Sequence, residues 1–175
     1  MTFGCESRLT EEKGIGIFAT RSFEAQETVI VGAPLVPVEE NSSHAVQVRR
    51  DGFAYEEGIG SLVNHSCEPN CGVRATEHGT FDLVARERIA RGDEITVDYA
   101  MRNYIIEFFP EHCRCGAVCC RDRVTGWKNL SDEQRTAYAT SVAPFLIEID
   151  CEIELEQRCL AVAGGQLLRA RSRAE

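Results

Sequence analysis

The chain is 175 residues long, 43% apolar and 27% charged, with a net charge of −9. That is too apolar for a disordered chain and enough for one core, and no run approaches the ~18 apolar residues of a membrane span. The acidic balance argues against nucleic acid as the main partner, since phosphate binding needs a basic surface; it suits a basic partner such as a lysine-rich peptide, and equally a surface that is simply solvated.

The opening stretch MTFGCESRLTEEKG has neither the basic nor the apolar region of a secretion signal, so an intracellular location is expected. IGIFATRSFEAQETVIV, residues 15–31, sets two β-prone runs around a polar turn. SHAVQV and FAY read as further strands separated by the turn RRDG. In TFDLVA, Phe81, Leu83 and Ala85 alternate with Asp82 and Val84, and RGDEITVDYA opens on a turn and places Ile95, Val97 and Tyr99 on one strand face. No strong amphipathic helix precedes residue 100, so a mainly β core follows.

Past Leu130 the texture changes. SDEQRTAYATSVAPF offers Ser131 as an N-cap, acids in the first turn and alanines after it, which predicts a helix that Pro144 ends. IEIDCEIELE, residues 147–156, alternates apolar and acidic residues throughout. That period predicts a half-buried edge strand or an acidic tail, suited to attracting a basic substrate or to packing across a homodimer. The end, RARSRAE, is expected to fray.

Two stretches carry chemistry. LVNHSCEPNC runs from an apolar approach into Asn64, His65, Cys67, Asn70 and Cys71, groups that ligate metal, accept protons or bind a ligand. CRCGAVCC clusters Cys113, Cys115, Cys119 and Cys120 in a chain with nine cysteines, an odd number that cannot all pair internally. In a reducing compartment such clusters read as metal ligands before disulfides. A structural zinc needs four ligands; this segment offers three, and Cys67, Cys71 and His112 compete for the fourth place. The alternative is a set of buried or redox-active thiols.

KGIGIFA (Lys13–Ala19), NHSCEPN (Asn64–Asn70) and GDEITVDY (Gly92–Tyr99), in this order along the chain, resemble the diagnostic motifs of the SET-domain protein lysine methyltransferases. CRCGAVCC is similar to that family's zinc-binding post-SET segment, whose pattern selects Cys113, Cys115 and Cys120. The resemblance covers about residues 10–130. It implies a mainly β SET fold of small twisted sheets, with the NHSCEPN segment tucked into a pseudoknot. The short stretch between residues 38 and 60 implies a compact form, close to small bacterial or viral members. The implied division is a SET domain over 1–112, a post-SET zinc-binding segment over 113–130, and a C-terminal helix with an acidic tail over 131–175.

The resemblance also implies a reaction, methyl transfer from S-adenosylmethionine to a lysine amine of a basic protein or peptide, without nucleic acid or membrane as partner. Such an enzyme is cytoplasmic in a bacterium and nuclear in a eukaryote. Tyr99 takes the catalytic position. Gly14, Ile15, Gly16, Asn64 and His65 take the cofactor positions. Trp127 is either an adenine neighbour or the hydrophobic start of the Ser131 helix. Cys67 joins Cys113, Cys115 and Cys120 on zinc, which leaves Cys71 and Cys119 as extra thiols. Tyr55 and Tyr104 are candidates for the lysine channel. Val97, two residues before Tyr99, leaves room where some members carry an aromatic residue. A zinc-stabilised binding module without turnover, and a methyltransferase for a small amine or biosynthetic peptide, are the competing readings.

Overall fold

Ten short strands carry the β-prone runs. They are β1 (Cys5–Leu9), β2 (Ile15–Ala19), β3 (Thr28–Ile30), β4 (Leu35–Val38), β5 (Val46–Arg49), β6 (Gly52–Glu56), β7 (Asn64–His65), β8 (Cys71–Ala75), β9 (Phe81–Ala85) and β10 (Glu94–Val97). Among the described residues two helices follow, α1 (Asp132–Tyr138) and α2 (Pro144–Arg171). The structure, a computed structural model, describes residues 4–138 and 140–171. Among the described residues, no helix is long and apolar enough to cross a membrane.

The strands form a seven-stranded sheet in the order β1-β2-β10-β8-β9-β3, with β7 also on β10, and a three-stranded sheet in the order β4-β6-β5. Period-2 alternation sets their faces: Ile17 and Ala19 of β2, and Phe81, Leu83 and Ala85 of β9, all point into the core. Ile95 and Val97 of β10 join them. Tyr99 leaves the strand, because a 3₁₀ turn over Tyr99–Met101 begins directly after Asp98.

β10 organises the site. It pairs antiparallel with β2 and parallel with both β7 and β8, so Asn64–His65 and Cys71 lie along the same strand. The chain between them loops out and returns. Asn70 fills the gap with its side chain: Nδ2 donates to the Glu94 carbonyl at 2.8 Å, and Oδ1 accepts from the Thr96 N–H at 2.9 Å. The mainly β fold with a tucked NHSCEPN segment is therefore observed.

The C-terminal region corrects the strand reading of 147–156. These residues lie inside α2. Leu146, Ile149 and the partly buried Ile153 recur at helical spacing and face the core, while Ile147 and Leu155 stay exposed. Glu148, Glu152, Glu154, Leu155 and Glu156 within the run are strong helix formers, and their local preference outweighs a short accidental alternation. Pro144 opens α2 instead of closing the preceding helix; at a first helical position the missing N–H costs nothing. The helix predicted from Ser131 is thus two. α1 carries a reciprocal cap, with Gln134 N–H donating to Ser131 Oγ (3.2 Å) and Ser131 N–H to Gln134 Oε1 (3.1 Å). Of the end expected to fray, Arg169–Arg171 continue α2, and residues 172–175 lie outside the described residues.

Candidate active site

A cleft of about 710 Å³ brings together Lys13, Gly14, Ile15, Asn64, His65 and Tyr99. The β1–β2 turn forms one wall. Gly14 holds φ +74°, a left-handed conformation that disfavours a side chain. Gly16 lets Asn64 close in, since a Cβ there would meet Asn64 Nδ2 at 2.8 Å and Glu94 Oε1 at 2.7 Å. Asn64 Nδ2 donates to the Ile15 carbonyl (3.2 Å) and to Glu94 Oε1 (2.8 Å), and Lys13 Nζ pairs with Glu94 Oε2 (2.5 Å).

His65 is buried behind Asn64. Its Nδ1 accepts the Tyr99 N–H at 3.3 Å, so the ring proton belongs on Nε2, which faces Cys67 Sγ at 3.4 Å. Burial pulls its pKa down to about 4; the nearby Asp98 carboxylate opposes this, while Arg121 and Lys13 reinforce it. Although Asp98 Oδ1 lies 3.6 Å from Nδ1, desolvation outweighs that attraction and the ring is neutral near pH 7.

Tyr99 stands against His65 (5.3 Å between ring centroids) and Phe109 (5.8 Å), edge to face with both. Its hydroxyl donates to the Val63 carbonyl at 3.0 Å. Burial, helped by the Glu94 charge, pushes the phenol pKa up to about 12, so the proton stays. A phenol that spends its only proton on a carbonyl keeps its lone pairs for an incoming donor.

Next to this wall, the Sγ atoms of Cys67, Cys113, Cys115 and Cys120 all lie within 4.8 Å of one another, with Cys67 and Cys113 4.0 Å apart. Four thiolates around a tetrahedral zinc at the usual Zn–S length stand about 3.8 Å apart, so number, chemistry and spacing fit that ion. Cys119 points to the Cys67 carbonyl from an exposed position, and His112 is an exposed partner of Asp122. Cys71 is fully buried in β8, with burial raising its thiol pKa to about 12.

Three expected residues stand elsewhere. Trp127 is buried and does not line the cleft: Nε1 donates to Asp150 Oδ2 at 2.7 Å, just ahead of α1. Its indole N–H finds its acceptor on α2. Tyr104 also donates to Asp150, at 2.8 Å, and Tyr55 shares a hydrogen bond with Ser42 on the surface; neither lines the cleft. The cleft instead contains Phe109, Ile105 and the buried ion pair of Arg102 with Glu56 (2.5 Å). Apolar Ile105 and Phe109 sit just upstream of the cysteines and were legible as a covering loop; nothing in the sequence pairs Glu56 with Arg102.

The family model described as "SET domain" matches residues 14–100. The chain belongs to the SET-domain family. Among known proteins it is similar to "Histone-lysine N-methyltransferase, H3 lysine-36 specific" of Candida albicans, 29% identical over 77% of this chain and 19% of that one. It is also similar to human "Histone-lysine N-methyltransferase 2B", 31% identical over 62% of this chain and 5% of that one. The chain therefore spans less than a fifth of the length of either relative. In fold it is similar to KRYPTONITE, solved in complex with mCHH DNA, H3(1-15) peptide and SAH, with a TM-score of 0.56 and 22% identity over 69% of this chain and 29% of that one.

Proposed function

We propose that the chain is an S-adenosylmethionine-dependent methyltransferase acting on lysine amines of a basic protein, histone-like in charge. The observation that carries this is one cleft lined by Asn64, His65 and a Tyr99 whose hydroxyl is oriented by the Val63 carbonyl, with Cys113 and Cys115 of the four-thiol cluster on its wall. The methyl donor would supply an activated sulfonium methyl group; the rest of the reaction falls to the chain. Gly14, Ile15, Asn64 and His65 would hold the donor, and Cys67, Cys113, Cys115 and Cys120 would hold zinc. Tyr99 accepts a hydrogen bond from the amine and aims its lone pair. Fixing two reactants in line is worth about 7–11 kcal/mol of barrier. Phe109 and Ile105 exclude water, which disfavours the charged amine and leaves the nucleophilic form. Val97 beside Tyr99 leaves space in the channel.

In this reading, residues 1–112 form the catalytic domain, 113–130 the zinc-bound lid, and 131–175 the C-terminal unit, whose helices α1 and α2 brace the core. The enzyme would work on chromatin proteins in a eukaryotic nucleus, or in the cytoplasm of a bacterium. Labelled S-adenosylmethionine with histone H3, with other basic proteins and with free small amines tests it. Transfer to a protein lysine is expected, and Tyr99→Phe should lower kcat by about 100-fold or more, the scale of one preorganised polar group. A folded wild type that binds no S-adenosylhomocysteine rejects the proposal; binding without transfer selects the non-catalytic module, and transfer to free amines alone the small-molecule enzyme.

A further inference from the structure

We propose that Arg121 is a positioning residue for Tyr99: clamped on Asp98, it carries the order of the cysteine cluster into the turn that presents the phenol. The proposal rests on the methyltransferase reading for what Tyr99 does, and on geometry for the linkage.

Asp98 is fully buried. Its Oδ1 accepts the Ala100 N–H at 3.0 Å and so caps the turn Tyr99–Met101. The same carboxylate takes both arms of Arg121, Nη1 to Oδ2 at 2.6 Å and Nη2 to Oδ1 at 2.9 Å. The Tyr138 hydroxyl adds a fourth donor at 3.1 Å. Arg121 directly follows Cys120, and its own N–H donates to Cys67 Sγ at 3.4 Å. The links close a circuit. From Cys120 the chain leads to Arg121, then through Asp98 to Tyr99, through the Tyr99 N–H to His65, and from His65 Nε2 back to Cys67. The backbone that presents the phenol is thus held from both sides by groups one bond away from the four-thiol cluster.

Two readings of Arg121 differ in what they require. If it only neutralises a buried carboxylate, any cation of similar reach serves. If it orients Asp98, the planar fork is needed, because a lysine ammonium is a point charge that fixes distance but not direction.

The test compares Arg121→Lys, Asp98→Asn and the double variant with wild type, all as the full chain. Four quantities are measured: zinc per chain by mass spectrometry, kcat and KM for a basic peptide, S-adenosylhomocysteine affinity, and hydrogen exchange of the Tyr99–Met101 amides. Arg121→Lys is expected to keep its zinc and its peptide KM within about threefold, while kcat falls about tenfold or more and the three amides exchange about tenfold faster. Asp98→Asn, which can still cap the turn, should behave alike, and the double variant should be no worse than the worse single one. Wild-type kcat and exchange in Arg121→Lys would overturn the proposal, as would zinc lost in step with activity, or effects that add in the double variant. Exchange needs no turnover. A wild type that transfers no methyl group would sink the methyltransferase reading while the amides still decide the linkage.

Discussion

The two walls of the cleft are held by different physics. The wall made by β2, β7 and β10 is stitched by backbone ladders and backed by residues with no solvent exposure, such as Ile17 and Ile95. The facing segment, from Ile105 to Gly126, contains no helix or strand. Its backbone closes on itself at a few points, such as Cys113 N–H to the Asp122 carbonyl at 2.5 Å and Cys120 N–H to the Ala117 carbonyl at 3.1 Å. Side chains do the rest: four thiols on one side and Arg121 on the other. The first wall can form wherever the core forms, whereas the second depends on cross-links that are added to it.

Chelation should break the comparison most sharply. Structural zinc in small model systems contributes about 10–16 kcal/mol, far more than a loop without secondary structure can replace. Treatment with a strong chelator is therefore expected to abolish methyl transfer and expose Ile105–Gly126 to protease, while far-UV circular dichroism of the sheets persists. Simultaneous melting of both walls would show that the core also leans on the cluster. A cavity in the core should do the opposite. Leu146 is fully buried where α2 meets the sheet, so Leu146→Ala should cost about 2–5 kcal/mol of global stability in urea titrations and leave zinc content unchanged. Asn70→Ala acts on the seam. It leaves the Glu94 carbonyl and the Thr96 N–H without their side-chain partner, at a cost of about 1–3 kcal/mol, and hydrogen exchange should place the loss at β10. The mildest change concerns α2: replacing Glu148, Glu152, Glu154 and Glu156 by Gln should shift the KM for a basic peptide, and its salt dependence, by no more than about twofold, since exposed charges are screened.

Much of the site was legible because its parts are contiguous. Asn64, His65 and Cys67 share one motif, Tyr99 ends another, and the alternation in β9 and β10 shows which faces turn inward. What stayed hidden depends on partners distant in the chain. Asp98 looks like a turn residue until Arg121 arrives 23 positions later. Tyr104, Trp127 and Arg135 converge on Asp150, and only that convergence turns an acidic residue inward on α2. Period 2 over ten residues misled because alternation records polarity, not pairing: no neighbouring strand was available for 147–156, and helix propensity decided. Trp127 could be read either way because an indole suits a cofactor face and a core equally, and its N–H partner lies on another element.

The pairing of β10 with both β7 and β8 has a consequence for how the protein is made. Asn64–Cys71 has no place to dock until Glu94–Val97 exists beside it. On a ribosome, therefore, the first half of the chain waits with β2 and β8 unpaired along one edge, and contacts that span 26 to 78 residues close together once β10 emerges. The lid segment comes later still. The cleft is thus complete only once Cys120 has appeared, and a chain released before Glu94 carries an open sheet edge with a tendency to aggregate.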